Sequence, residues 1–264
     1  MKEISNMIDQ TKPLDTFTNS ELEITDLPAL ELQKLILNQK ITLQEAYNRF
    51  CYKRSKIGND KEIFTQIIDA QAQINDLNSR DPKQLPLLGF VMTVKDSIRM
   101  QNTKQTCGLY INNDKINTKP TPFITYLQSK GAIIISKGNV PQSLMAMESN
   151  NHIYGRSKHY KDNNRTSGGS TGGDAVILAL GLANCALGSD GAGSLRIPAF
   201  YNGLYTLKTS WQRSVRNVNS SFYELQEYFG DRDEFLYIFK GVAGAITRNI
   251  DDLYHFSKIM FEFY

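Results

Sequence analysis

Between Pro86 and Ser136 the chain sets two short apolar runs around a helical segment, and this order limits its folding more than any other feature. Leu87-Leu88-Gly89-Phe90-Val91-Met92-Thr93-Val94 is a run of strand length with β-branched residues, and it ends abruptly in Lys95-Asp96-Ser97. Apolar on both faces, it reads as a buried strand. A helix is predicted over residues 123–130, closed by Gly131 as its C-cap, and residues 132–136 (Ala-Ile-Ile-Ile-Ser) form a second buried strand. Strand, helix and strand in this order predict a parallel crossover, hence an α/β chain whose sheet is covered by helices. With 264 residues, 41% of them hydrophobic, the chain can bury such a core.

The rest of the chain supplies the covering elements. Residues 1–25 are polar and aperiodic and read as an N-terminal arm. Leu27, Leu30, Leu32, Leu35, Ile36 and Leu37 form a stripe near helical period, and Thr42 with Glu45 spells a capping box that opens a second helix. Residues 61–79 are predicted as a third helix, with Ile63, Ile67, Ile68 and Ile74 on one side. Residues 150–166 read as loop, 175–182 as helix, 185–188 as strand, 195–200 as helix and 204–208 as strand. Residues 211–240 read as irregular and 250–261 as an amphipathic helix. No repeat or linker divides residues 26–264, which are read as a single domain.

Charge and cysteine usage exclude several classes. A net charge of +3 without basic runs gives no reason to expect nucleic acid. Cys51, Cys107 and Cys185 are too scattered for a disulfide framework or zinc site, so a reducing compartment, cytoplasm or mitochondrion, is expected. The N-terminal residues carry no apolar signal core, and no run reaches the ~18 apolar residues of a membrane span.

Two glycine-rich turns, residues 166–173 (Thr-Ser-Gly-Gly-Ser-Thr-Gly-Gly) and 189–194 (Ser-Asp-Gly-Ala-Gly-Ser), each lead into an apolar helix. Such turns leave backbone N–H groups pointing one way, which suits a bound phosphate or a transient oxyanion; glycine alone reads equally as a tight turn needing positive φ. Neither turn fits GxxxxGK[ST] or a dinucleotide GxGxxG. Ser170 and Ser194 change the reading, because a serine at a turn-to-helix junction exposes its hydroxyl beside amides able to bind an oxyanion. A base is then needed. His152, His159 and His255 lie in no triad motif and read as surface or capping residues. Lys95 closes a buried strand, where desolvation lowers an amine's pKa and allows it to act as a neutral base; the alternative is a strand-end lysine that snorkels to solvent.

Taken together, residues 85–210 resemble the amidase-signature family, and within it the fatty acid amide hydrolases. The resemblance rests on residues 89–96 (Gly-Phe-Val-Met-Thr-Val-Lys-Asp), 138–142 (Gly-Asn-Val-Pro-Gln), 167–173, 188–199 (Gly-Ser-Asp-Gly-Ala-Gly-Ser-Leu-Arg-Ile-Pro-Ala) and 203–209 (Gly-Leu-Tyr-Thr-Leu-Lys-Thr), in the family's order. It implies a mixed β-sheet flanked by helices on both faces and an amide hydrolase that works through an acyl-enzyme. Ser194 would be the nucleophile, Ser170 a relay on a cis peptide, and Lys95 the ultimate base. The amides of Gly191, Ala192, Gly193 and Ser194 would form the oxyanion hole, with Asp190, Arg196 and Thr171 in support. No metal or cofactor is implied.

The sequence departs from the family pattern at Ala192, where glycine is usual, at Thr171 for serine, at Ser167 for proline, and in length, because members continue well past residue 264. The fold is therefore expected to be incomplete on its C-terminal side, with a protein partner covering it. Two further readings follow. One is a non-catalytic structural subunit of a larger assembly, in the mitochondrion or elsewhere, that retains an amidase half-fold. The other is the amidase subunit of a tRNA-dependent amidotransferase, which Pro141-Gln142 disfavours.

Overall fold

The structure is a computed structural model and describes residues 16–210 and 241–263. In chain order, α1 (Ala29–Leu37) and α2 (Leu43–Ile57) precede β1 (Phe64–Ile67) and α3 (Gln71–Asn78). The crossover follows as β2 (Val91–Lys95), α4 (Pro122–Ser129) and β3 (Ile133–Gly138). A short hairpin, β4 (Asn150–Asn151) and β5 (Gly155–Arg156), leads to α5 (Gly172–Ala179), β6 (Cys185–Asp190), α6 (Arg196–Tyr201) and β7 (Tyr205–Thr206). β8 (Val242–Thr247) and α7 (Ile250–Glu262) complete the described chain.

Local chemistry sets several of these boundaries. Thr42 and Glu45 form the predicted capping box: the Glu45 amide donates to Thr42 Oγ1 (3.1 Å) and the Thr42 amide to Glu45 Oε2 (2.8 Å). Thr121 caps α4 with Pro122 in its first turn, and Gly131, at φ +104°, lets the chain reverse into β3. α1 has no side-chain cap of its own. Its first amides, Ala29 and Leu30, donate instead to the Asp252 carboxylate of α7 (2.7 and 3.0 Å).

Six strands join in one mixed sheet in the order β1-β3-β2-β6-β8-β7. β2 runs parallel to both β3 and β6, whereas β1–β3, β6–β8 and β7–β8 are antiparallel. Helices cover both faces. Met92 and Val94 of β2 pack with Phe123 and Leu127 of α4 and Phe256 of α7. Val91 faces the opposite side, with Leu32 of α1 and Phe50 of α2. Strand alternation puts Thr93 and Lys95 on that second side, toward α5. Asn184 holds the start of β2, accepting from the Val91 amide (2.9 Å) and donating to the Gly89 carbonyl (2.8 Å).

The sequence reading needs correction at four places, the first being residues 150–166, read as loop, which contain the β4–β5 hairpin. The helix expected over residues 61–79 is a strand, β1, followed by the shorter α3. Asn59 Oδ1 accepts from the amides of Ile63 and Phe64, Glu62 sits at φ +56°, and Phe64 and Ile67 pair with Gly138 and Ser136 of β3. The second strand of the sheet starts at Val91; residues 87–90 before it form a turn, closed by the Phe90 amide on the Leu87 carbonyl (3.0 Å). β8 is a strand that the sequence reading does not contain. Of the expected arm, residues 1–15 lie outside the described residues, as does the irregular segment 211–240. Residues 19–26 form short helical turns, and Arg248 Nη2 binds the carbonyls of Thr25 and Leu27 (2.7 and 3.0 Å). Among the described residues, no helix is long and apolar enough to cross a membrane.

Candidate active site

Lys95 ends β2 with 1% of its surface exposed. Its Nζ donates to Ser170 Oγ (2.7 Å), to Ser189 Oγ (3.0 Å) and to the Ser189 carbonyl (3.3 Å). Burial pulls the ammonium down to about 8, against the opposing attraction of Asp174, Cys107 and Asp190. The amine therefore points inward, and the snorkelling alternative does not hold.

Ser170 lies in the turn before α5, on a Gly169–Ser170 peptide that is cis, as the resemblance implies. Ser149 braces this turn. Its Oγ accepts from the Gly172 amide (3.0 Å) and donates to the Gly168 carbonyl (3.1 Å). Gly168, at φ +78°, comes so close to α6 that a Cβ would stand 2.9 Å from Pro198 Cα. The Thr171 amide then donates to the Ser194 carbonyl (3.1 Å), so the two glycine-rich turns are stitched to each other. The Thr171 hydroxyl is buried without a partner among the described residues.

Asp190 organises the second turn. Its carboxylate accepts from the amides of Gly193 (2.7 Å), Leu195 (3.1 Å) and Arg196 (3.3 Å), and from Arg196 Nε and Nη2 (3.0 Å each). Burial alone would raise the Asp190 pKa; the Arg196 guanidinium and the three amides outweigh it and hold the carboxyl below its usual range. Gly193 sits at φ +116°, which a side chain would strain. Ala192 is not among the residues of positive φ, so its Cβ imposes no backbone strain. The Gly193 amide, one of the four expected oxyanion donors, donates to Asp190 Oδ1 in this structure. The amides of Gly191, Ala192 and Ser194 have no partner among the described residues.

A cavity of about 170 Å³ joins these parts. Lys95, Ser170, Ser189, Ser194, Gly191 and Ala192 line one end; Leu144, Met145, Met147 and Ile197 supply apolar walls. Among the described residues, none of the three histidines lines it. His159 Nε2 lies 3.1 Å from the Tyr201 carbonyl, and His255 Nε2 2.7 Å from that of Pro86. The three cysteines are buried and form no disulfide. The sequence reading missed Ser189, Ser149 and Asp174. Ser189 opens the second turn and could have been found from it; Ser149 carries no local signal.

Sequence and structure comparisons place the chain among known proteins. A family model described as Amidase matches residues 43–262. "Amidase 2" of Gibberella moniliformis is 33% identical over 193 residues, which is 71% of this chain and 38% of the relative. A glutamyl-tRNA(Gln) amidotransferase component of Sulfurisphaera tokodaii is 30% identical over 184 residues, 69% of this chain and 39% of the relative. A solved fatty acid amide hydrolase superposes with a TM-score of 0.78 at 25% identity, covering 97% of this chain and 44% of that one. The chain spans less than half the length of the curated relatives it matches.

Proposed function

The chain belongs to the amidase family, and from that premise we propose that it hydrolyses a carboxamide C–N bond, with Ser194 as nucleophile, Ser170 as proton relay and Lys95 as base. Its fold is the amidase-signature fold. The observation that carries the assignment is the 2.7 Å contact between a buried lysine amine and Ser170 Oγ, beside a cavity that Ser194 also lines. Neutral Lys95 takes the Ser170 proton while Ser170 takes that of Ser194, and Ser194 Oγ attacks the carbonyl carbon. The amides of Gly191, Ala192 and Ser194 receive the developing oxyanion. The relay runs in reverse to protonate the departing nitrogen; the C–N bond breaks and leaves an ester on Ser194. Water, deprotonated by the same relay, cleaves that ester. The test is covalent labelling by a fluorophosphonate: wild type takes up the label and Ser194→Ala does not. A folded wild-type chain that stays unlabelled defeats the assignment.

The amidotransferase reading draws on the Sulfurisphaera tokodaii relative. The apolar cavity walls argue for a less polar substrate than glutamine, and glutaminase assays with and without tRNA separate the two. We also infer that surface from outside the described residues closes the site. Phe200 is 83% and Met147 70% exposed, and β7 has β8 on one side and nothing on the other among the described residues. A partner protein or further polypeptide would meet this need, and co-purification distinguishes the two.

A further inference from the structure

We propose that Asp174 is a positioning residue for Lys95: its carboxylate, buried against β2 and β3, is the counter-charge that governs when the amine gives up its proton. The inference rests on the base role of Lys95 proposed above.

Asp174 lies in the first turn of α5, four residues after Ser170, and is fully buried. Its Oδ1 accepts from Thr93 Oγ1 (2.8 Å), and its Oδ2 has no hydrogen-bond partner among the described residues. Thr93 precedes Lys95 by two positions on β2, so both side chains leave the same face. Gly138 is the register partner of Lys95 on β3, and a Cβ there would stand 2.2–2.4 Å from the carboxyl atoms of Asp174. The carboxyl thus rests on the bare backbone of Gly138 opposite Lys95, two residues along the ladder from Thr93. A side chain at residue 138 would displace it.

The other charges around the site are engaged elsewhere. Asp190 is held by Arg196 and by its own loop. Asp96, just past β2, accepts from Thr106 Oγ1 (2.9 Å) and the Cys107 amide (2.6 Å), and is the foremost charge acting on Lys137 of β3, whose Nζ donates to the Lys104 carbonyl. Asp174 in turn is the foremost charge acting on Lys95, ahead of Cys107 and Asp190. Asp96 is thus the foremost charge on Lys137 and Asp174 the foremost on Lys95. Burial pushes Asp174 up to about 7, opposed by Thr93 and Lys95. Lys95, pulled down by burial, is in turn held up by the charge of Asp174, so each group opposes the other's shift.

The test reads the lysine directly, by NMR titration of 13Cε-labelled lysines in the full chain, with the Lys95 signal identified by its loss in Lys95→Ala. In Asp174→Asn the isosteric amide carries no charge, and proton binding at Lys95 is expected to weaken about tenfold or more, the usual effect of losing a nearby opposite charge. A midpoint that stays put or rises overturns the proposal, whereas a merely structural residue would change the melting temperature without moving it. Thr93→Val serves if Asp174→Asn does not fold. It leaves the carboxyl but removes its donor, so Asp174 stays neutral to higher pH and the Lys95 midpoint falls by a smaller amount; no movement in that folded variant also overturns the proposal. Fluorophosphonate labelling run in parallel tells the two failures apart. A moved midpoint without wild-type labelling sinks the hydrolase reading alone, and labelling with an unmoved midpoint sinks the counter-charge alone.

Discussion

A lysine can accept a proton only when it is neutral, and at Lys95 the balance is set by desolvation against the pull of Asp174, Cys107 and Asp190. Burial brings the amine from 10.5 to about 8, so the charged form dominates below pH 8 and the neutral form above it. The labelling rate at Ser194 is therefore expected to rise about tenfold per pH unit below 8 and to level off above it. Because Lys95 is only 1% exposed, added salt should leave the midpoint nearly unchanged. A rate flat between pH 6 and 9 would remove Lys95 from the chemistry. Lys95, Ser170 and Ser194 were legible in the sequence because each sits at a punctuation point, a strand end or a glycine-rich turn. Asp174 was not, and Ser189 was visible only as the opening of the second turn, since the contact each makes depends on which strands neighbour each other. β6 lies beside β2 with Val94 opposite Leu187, and that register brings Ser189 within reach of the amine.

At the scale of elements, the glycine-rich turn that carries Ser194 is shaped by one carboxylate and one backbone angle. Asp190 gathers three amides and the Arg196 guanidinium, and Gly193 provides the positive φ that lets the chain pass among them. Gly193→Ala would place a side chain at φ +116° and a Cβ 2.7 Å from Ile197 Cδ1. The expected cost is about 1–3 kcal/mol of stability, read by denaturant unfolding, with a clearly slower labelling rate. Ala192→Gly makes the complementary case. Ala192 is under no positive-φ strain, so restoring the glycine that the family usually has there should not speed labelling. A large gain would mean that the alanine Cβ obstructs the oxyanion site. The elements misread from sequence share one cause. The isoleucines of residues 61–79 fit helical spacing, but Phe64–Ile67 gains its hydrogen bonds from β3, some seventy residues away, and a four-residue run carries too little periodicity to betray this. In β8 (Val-Ala-Gly-Ala-Ile-Thr) the strand-favouring Val242, Ile246 and Thr247 are split by Ala-Gly-Ala, which breaks up the local signal; the strand pairs along its whole length with β6, a partner that no local pattern announces.

For the whole molecule, the contact that ties the ends of the described chain together is polar. Asp252, in the first turn of α7 and 1% exposed, accepts from the amides of Ala29 (2.7 Å) and Leu30 (3.0 Å) and from Asn249 Nδ2 (2.7 Å). It caps a helix more than two hundred residues earlier, one that has no side-chain cap of its own. The same helix seats Phe256 against Phe90, at a ring separation of 6.2 Å, so α7 fastens the cap and one face of the sheet in a single element. Asp252→Ala would leave those two α1 amides without this acceptor while keeping the apolar contacts of α7. Stability should fall by about 2–3 kcal/mol, the usual range for losing charge-assisted hydrogen bonds in a buried setting, seen as a lower denaturant midpoint with an unchanged slope. Asp252 does not line the cavity with Lys95 and Ser194, so under fully native conditions the labelling rate should match wild type. Equal stability of the variant would show that α1 is held by its apolar face alone. A lost labelling rate at full stability would mean that α7 reaches the site through the sheet.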